Sequence, residues 1–289
     1  APRATGLSRY AAASLRPVPG EQSKTAPAPV RALGGARGED PAVDDAATLI
    51  DGRTGPIVVI VGRGDVATSA AATTSAAGAL AALPDVRFLT ALRRGNVRGA
   101  LELGLTPGFL PGRVTLDAGR APFAAEWGAV PERAGLDATG ILAAAESGRV
   151  HALVLLGSDP RDDFPDRALA RSGINAAGFV IALDTFVTDS TKRADVFLPV
   201  TAWGEKAGTA TNVEGRVQRL GQRVSPDGTA MPDWRIAAEL ALRMGTDFDL
   251  ESIEEIQDEI ARVAPAFAGL DAERLRASGD GFVLPAENL

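Results

Sequence analysis

The sequence predicts an α/β protein with a doubly wound, mostly parallel sheet, and two observations lead to this prediction. Apolar residues make up 45% of the 289 residues but aromatic residues only 5%, a composition that suits helices packed closely on a sheet. Apolar strand-like runs also alternate with helical patterns. The first run, Ile57-Val58-Val59-Ile60-Val61, is uniformly apolar, as in a parallel strand covered on both faces. Such alternation predicts parallel strands joined by right-handed crossovers.

The elements follow in chain order. A strand at 57–61, a helix at about 67–83 and a strand at 86–89 form one βαβ unit of about the usual 30 residues. Beyond residue 135 the pattern resumes with a helix that has Asp137 near its start. The remaining predicted elements are a strand at 152–156, a short helix at about 166–171, strands at 179–183 and 195–198, a helix at 234–244 with Asp233 as its N-cap, and a helix that opens with a capping box at Ser252 and runs to about 263.

Three regions are predicted from this order. Residues 1–56 form a peripheral N-terminal segment, rich in proline and glycine, with one helix at about 43–50. Residues 57–245 form a Rossmann-like domain with an insertion at 91–135, and residues 246–289 hold a C-terminal helix and, at 282–285, the start of a further domain. The chain begins at Ala1 without an initiator methionine, which favours a fragment or a processed chain.

Composition argues against several classes of function. The net charge is −7, from 30 basic and 37 acidic residues, without a basic tract that could follow a phosphate backbone; nucleic acid is not an expected partner. The sequence has no cysteine and one histidine, His151, which argues against tetrahedral zinc sites, iron–sulfur ligation, disulfides and thiol nucleophiles. No metal site is therefore expected. The longest uncharged apolar run, 56–62, is far shorter than the roughly 20 residues of a membrane helix, so no membrane insertion is expected.

A glycine motif follows the first strand. Residues 62–67 read Gly-Arg-Gly-Asp-Val-Ala, in the strand-to-helix context where such a turn can cradle a pyrophosphate. A nicotinamide site also needs an acidic residue after the second strand, but Thr90 and Arg93-Arg94 follow there. Asp65 would also place a negative charge beside the phosphate. A tight turn is favoured, and a dinucleotide-binding module remains an alternative.

Two polar loops follow later strands, at the sheet edge where open α/β sheets bind ligands. The first, 157–160, reads Gly-Ser-Asp-Pro, and the second, 184–191, reads Asp-Thr-Phe-Val-Thr-Asp-Ser-Thr. A ligand site and plain turn structure are both compatible with these residues, because hydroxyls can either contact phosphates or cap a turn. The candidate pocket residues are Gly157, Ser158, Asp159, Pro160, Asp184, Thr188 and Thr191.

Four arginines are candidates for contact with a partner. Arg93, Arg94 and Arg98 form a compact basic group, which could equally be a solvated loop. Arg216 could offer its planar guanidinium to a carboxylate or phosphate. In the alternative interpretation, Arg216 belongs to a plain turn. Gly215 then adopts a left-handed conformation, and Glu214 pairs with Arg216 or with Lys206. His151, at the start of a strand, is expected at the surface.

The order of motifs over 194–218 carries a family resemblance. Ala-Asp-Val-Phe-Leu-Pro is followed by Trp-Gly-Glu-Lys-Ala-Gly-Thr and by Asn-Val-Glu-Gly-Arg-Val-Gln. This succession resembles the segment that joins the last Rossmann-like domain to the C-terminal barrel in molybdopterin-containing oxidoreductases. It is especially similar to the large iron–sulfur subunits of NADH-quinone oxidoreductase, respiratory complex I. The stretch Arg-Gly-Asn-Val-Arg-Gly-Ala-Leu at 94–101 favours the bacterial form of that large subunit.

The resemblance implies a vestigial cofactor pocket. In the molybdopterin family the loop similar to 157–160 reads Gly-x-Asn-Pro and approaches the guanine dinucleotide part of the cofactor, whereas here Asp159 replaces the amide. A carboxylate cannot donate hydrogen bonds and repels phosphate. The expectation is therefore a noncatalytic scaffold without a cofactor or catalytic residue of its own. Iron–sulfur clusters are expected in the N-terminal part of the full subunit.

The same resemblance implies a setting. The expected partners are other subunits of the peripheral arm of complex I, on the cytoplasmic face of the cell membrane, where the complex passes electrons from NADH to quinone. Three alternatives remain open: a fragment of an active molybdopterin-dependent oxidoreductase such as a formate dehydrogenase, a free-standing dinucleotide-binding module, and a central domain of a thiamine diphosphate enzyme.

Overall fold

The protein is described from a computed structural model, which covers residues 4–18, 21–36, 40–62, 70–92 and 94–284. The chain divides into two compact units, Ala1–Arg93 and Arg94–Leu289. Within the described residues, no helix combines the length and the apolar character needed to cross a bilayer.

The first unit contains the predicted βαβ pattern. Its elements are helices α1 (Gln22–Thr25), α2 (Ala28–Leu33) and α3 (Pro41–Asp51), strand β1 (Ile57–Val61), helix α4 (Ala70–Leu80) and strand β2 (Val86–Thr90). Strands β1 and β2 pair in parallel, with Ile57 opposite Val86. The glycine motif at 62–67 lies outside the described residues except for Gly62, so the predicted turn there stays a prediction.

Strand β1 differs from its prediction in one respect. Its uniformly apolar sequence predicts burial on both faces, but Val58 and Ile60 are more than half exposed. Successive side chains of a strand point to opposite faces, so the residues between them face the better-covered side. Apolar character alone does not show what covers each face.

The second unit holds the other elements. They are α5 (Val97–Glu102), β3 (Phe109–Leu110), β4 (Val114–Thr115), α6 (Leu116–Trp127), α7 (Ala138–Glu146), β5 (Ala152–Leu156), α8 (Pro160–Asp163), α9 (Arg167–Ala176), β6 (Phe179–Asp184), β7 (Val196–Pro199), β8 (Gly208–Thr211), β9 (Arg216–Leu220), α10 (Asp233–Arg243), α11 (Ile253–Val263), α12 (Ala272–Ala277) and β10 (Phe282–Val283). Helix α6 lies in the predicted insertion, where glycines and prolines obscure the helical pattern. It is kinked at Gly119 and contains Pro122.

A parallel sheet of order β5-β6-β7 is the centre of this unit, as the alternation predicts. Helices α7 and α9 pack on one face of it, with Leu142, Ile174 and Val180 buried between the layers. The two helices approach closely at Gly173, where an added Cβ would lie 2.6 Å from the carbonyl oxygen of Leu142. The predicted mixed α/β fold with parallel sheets is confirmed.

An antiparallel sheet of order β10-β9-β8 follows. It packs on residues of the last helices, including Phe267, Leu270 and Leu275. Residues 282–284, which the sequence suggests as the start of a further domain, belong to this sheet: Phe282 pairs with Val217. A short apolar run predicts a strand, but it does not indicate which strand more than 60 residues away it pairs with.

Two helix starts test the capping predictions. The capping box of α11 is confirmed: Ser252 Oγ accepts from the Glu255 amide, and the Glu255 carboxylate accepts from the Ser252 amide. Asp233 is not the N-cap of α10, because Pro232 occupies that position. The Asp233 carboxylate instead pairs with Lys206.

Candidate functional site

The candidate pocket lies at the carboxyl edge of the β5-β6-β7 sheet. Gly157 directly follows β5 and has a φ of +55°. Glycine adopts this left-handed conformation without strain. Its amide donates to the Leu183 carbonyl at 2.8 Å. Pro160 then opens α8. The loop therefore turns sharply away from the sheet, as the residue order predicts.

Asp159 ties the two polar loops together. Its Oδ1 accepts hydrogen bonds from the amide of Ser190, at 3.1 Å, and from the Ser190 hydroxyl. The same hydroxyl accepts from the amide of Arg161 at 3.0 Å, and Ser190 is fully buried. The carboxylate that replaces the expected amide is thus used inside the protein.

The threonines of the second loop bond to each other. The Thr188 amide donates to Thr191 Oγ1 at 2.6 Å, and this hydroxyl donates back to the Thr188 carbonyl at 3.2 Å. Asp184 Oδ1 accepts from the Phe186 amide at 3.2 Å. These contacts are those of a capped turn. Next to it, Lys192 donates to Asp189 at 3.0 Å and lowers the pKa of that carboxyl below its ordinary value.

A cleft of about 500 Å³ opens at the same edge. Of the seven candidate pocket residues, Gly157 and Asp184 line it. Sequence reasoning missed the lining residues Thr201, Trp203, Lys206 and Asp233. The first three directly follow β7, so the rule that ligands bind beyond the carboxyl ends of parallel strands could have found them.

Several polar side chains line this cleft: Asn96, Asp184, Thr185, Thr201, Lys206, Thr209 and Asp233. Lys206 pairs with Asp233, so its charge is already balanced. Thr201 is buried, and its hydroxyl has no hydrogen-bond partner among the described residues. Trp203 and Phe186 are largely exposed at the edge.

The candidate partner contacts fall into different environments. Arg93 lies outside the described residues. Arg94 forms an exposed ion pair with Asp163 at 2.9 Å, which raises the pKa of the guanidinium. Arg216 is 3.5 Å from Glu214, and Gly215 has a φ of +87°; both agree with the turn interpretation.

Arg98, a candidate for contact with a partner, makes hydrogen bonds within its own unit. Its Nε donates to Glu102 at 2.7 Å, and its Nη1 donates to the Val213 carbonyl at 2.7 Å. Arg113 donates to the same Glu102 oxygen at 3.0 Å, and Glu102 is fully buried. Arg98 therefore links α5 to the turn between β8 and β9.

The remaining charged candidates lie at the surface or pair locally. His151 is exposed, as predicted. Arg262 pairs with Glu126, which lowers the pKa of Glu126, and it also interacts electrostatically with Asp258 and Glu259 of its own helix.

Comparison with known proteins identifies the family. The sequence model of the molybdopterin oxidoreductase family matches residues 53–243, more than half of the chain. This chain therefore belongs to the molybdopterin oxidoreductase family.

Several curated relatives are similar over about two thirds of the chain. The NADH-quinone oxidoreductase G 2 protein of Rhizobium meliloti is 36% identical over 68% of this chain, which is 23% of that protein. F420-dependent formate dehydrogenase 1 subunit alpha of Methanococcus maripaludis is 34% identical over 64% of this chain and 28% of its own length. NADPH-Fe(3+) oxidoreductase subunit alpha of Geobacter sulfurreducens is 36% identical over 61% of this chain and 20% of its own length.

The chain thus spans about a quarter of these relatives or less. Among solved structures, acetylene hydratase from Pelobacter acetylenicus matches 51% of this chain and 20% of its own length, with 23% identity and a TM-score of 0.43.

The residues at the carboxyl edge fit the family's cofactor poorly. Phosphates are bound by free N–H groups and cations. Here the Ser190 amide donates to Asp159, and the charge of Lys206 is balanced by Asp233. Asp184 adds a further negative charge to the cleft. We therefore derive no chemical step through the cofactor.

Proposed function

We propose that this chain is a noncatalytic, cofactor-free scaffold region of the large iron–sulfur subunit of an NADH-quinone oxidoreductase. In this role it supports the part of the subunit that carries iron–sulfur clusters and transfers electrons from NADH towards quinone. The neighbours would be other subunits of the peripheral arm, on the cytoplasmic face of the membrane. The similarity to the NADH-quinone oxidoreductase protein of Rhizobium meliloti supports this assignment.

The internal use of Asp159 is the observation that carries the proposal. In a phosphate-binding loop the polar groups must be available to the ligand. Here the carboxylate accepts two hydrogen bonds from Ser190, and the Thr188 and Thr191 groups bond to each other. Breaking these contacts would cost about 1 kcal/mol each. These groups of the edge are therefore used within the protein, whereas the Thr201 hydroxyl, which also lines the cleft, has no hydrogen-bond partner among the described residues.

The test is a cofactor analysis of the full-length native polypeptide that contains this region. Molybdenum and tungsten are measured by mass spectrometry, and pterin by the fluorescence of its oxidised form, in the same sample. The control is a formate dehydrogenase prepared in parallel, which shows that the protocol recovers the cofactor. We expect iron without molybdenum, tungsten or pterin.

Stoichiometric metal and pterin would overturn the proposal. They would assign the chain to a working molybdopterin-dependent oxidoreductase, the second candidate. The similarity to formate dehydrogenases and the unpartnered hydroxyl of Thr201 beside a 500 Å³ cleft favour that candidate. A Thr201→Val variant would then lose cofactor, because its cleft-lining hydroxyl is removed without a change of shape. A dinucleotide-binding module, the third candidate, depends on residues 62–67.

A further inference from the structure

A second cleft lies in the same unit, away from the carboxyl edge of the parallel sheet. It encloses about 700 Å³ between the end of α6, the loop after α10 and one side of α11. This volume is in the range of about 300–1,000 Å³ that is typical of ligand clefts. Two aromatic side chains line it, Trp127 and Phe248, and both remain nearly half exposed.

Trp127 is held in place before any ligand arrives. Its indole Nε1 donates to the Glu259 carboxylate at 2.7 Å. Its ring packs on Phe123, with the centroids 5.0 Å apart, and Phe123 is fully buried. A ring fixed in this way loses little conformational entropy when a ligand packs on it.

The cleft is strongly acidic. In the described part of the chain its lining includes four carboxylates, of Glu126, Asp247, Asp249 and Glu259, and one guanidinium, of Arg262. That guanidinium already pairs with Glu126. The backbone of the loop is shaped by the Asp249 amide, which donates to Asp247 Oδ1 at 3.0 Å. The lining therefore combines an excess of negative charge with exposed aromatic surface.

We infer that this cleft is a docking site for a basic segment of a partner protein, through an arginine or lysine side chain. The aliphatic stem of such a side chain packs on Trp127 and Phe248, and its cationic head is attracted by the ring faces and by the carboxylates of Asp247 and Asp249. Charge complementarity selects the occupant, because the carboxylates repel an acidic segment and a neutral segment gains only the packing on the aromatic rings. The inference goes beyond the scaffold function, and it does not depend on whether the pocket at the carboxyl edge of the parallel sheet binds a cofactor.

The experiment uses the whole chain and a fluorescein-labelled peptide, acetyl-Gly-Arg-Gly-Arg-Gly, in anisotropy titrations at low salt. The test variant is Asp247→Asn/Asp249→Asn, which keeps the shape of both side chains and the left-handed backbone of Asp249. We expect its Kd to rise about tenfold, the factor that corresponds to about 1.4 kcal/mol. The matched control, Glu146→Gln/Glu273→Gln, removes two exposed carboxylates elsewhere and leaves the Kd unchanged.

Three results would overturn the inference. The first is equal binding by the test and control variants, or no binding of the arginine peptide. The second is displacement of the peptide by argininamide at the same molar affinity, since the site would then bind small amines. The third is concentration-dependent dimerisation abolished by Trp127→Leu, since a second copy would then occupy the cleft. Weaker binding of Trp127→Leu in a monomeric protein supports the inference.

Discussion

At the scale of single residues, the packing of the stretch 94–102 depends on the buried carboxylate of Glu102 and on two crowded glycines, Gly99 within the stretch and Gly215 in the β8–β9 turn that Arg98 contacts. Glu102 is buried between the guanidinium groups of Arg98 and Arg113. An added Cβ at Gly99 would lie 2.2 Å from Asn96 Oδ1, and one at Gly215 would lie 2.6 Å from Arg98 Nη2. The motif therefore serves the packing of α5 on the β8–β9 turn.

Glu102→Gln should destabilise the protein by about 2–3 kcal/mol. The change leaves two guanidinium groups without their counter-charge, and breaking a buried pair from one side costs about 3–5 kcal/mol; the partial exposure of Arg113 reduces this figure. The free energy of unfolding in urea measures the effect. The exposed variant Glu146→Gln should stay within about 0.5 kcal/mol of the parent. Equal stability of the two variants would contradict the role given to Glu102.

At the scale of elements, small residues set how closely the helices pack. Helix α9 crosses α7 at Gly173, where the nearest backbone atom leaves no room for a methyl group. Helix α11 depends instead on its end, where Ser252 and Glu255 cap each other's amides. Close contact at Gly173 fixes how α9 packs on α7, and the capping box stabilises the first turn of α11.

Gly173→Ala should destabilise the second unit by about 1–2 kcal/mol. Overpacking against the Leu142 carbonyl costs about 1–3 kcal/mol, which exceeds the gain of up to about 1 kcal/mol from a better helix former. Thermal unfolding measures the result. Gly78→Ala is the matched control, because this helical glycine has open space around it; that variant should be neutral or slightly more stable. If the Gly173→Ala variant were more stable than the parent protein, α7 and α9 could move apart without a loss of stability, and the prediction would be wrong.

Glu255 should make the stability of α11 depend on pH. Its pKa lies below the ordinary 4.5 because the backbone amides of Glu251 and Ser252 donate to the carboxylate. The stabilisation is present above pH 4.5 and is lost as the pH falls through the lowered folded-state pKa. Glu255→Gln should therefore reduce the slope of unfolding free energy against pH in this acidic range, relative to the parent protein measured in parallel. An unchanged slope in Glu255→Gln would contradict the capping role.

At the scale of the whole molecule, the fold belongs to a family of oxidoreductases, and four polar residues at its ligand edge bond in pairs, Asp159 with Ser190 and Thr188 with Thr191. Parallel strands β5, β6 and β7 still bring their carboxyl ends together. Asp159 and Ser190 close the loops above them. A fold can keep its architecture after its site changes, because the core and the loops are made by different residues.

Under the proposed scaffold function, Arg94→Glu should weaken association with neighbouring subunits without unfolding the chain. Arg94 is exposed and pairs only at the surface with Asp163, so its loss should change stability by less than about 1 kcal/mol. A pull-down of the complex measures the association. The double variant Arg94→Glu/Asp163→Arg restores the internal pair, and it should still fail to recover the partners. Unchanged recovery of the partners by Arg94→Glu would contradict the prediction.

Features that depend on neighbouring residues could be predicted from the chain alone. The strands of the two parallel sheets, the left-handed Gly215 and the capping box at Ser252 follow from local sequence patterns. The order of motifs over 194–218 likewise carries the family resemblance without any structure. Which polar groups are already occupied became clear only from the folded molecule. Asp159 meets Ser190 across 31 residues, Arg98 meets Val213 across 115, and Trp127 meets Glu259 across 132. Such distant pairings depend on how the layers pack together, and neither spacing nor composition records that.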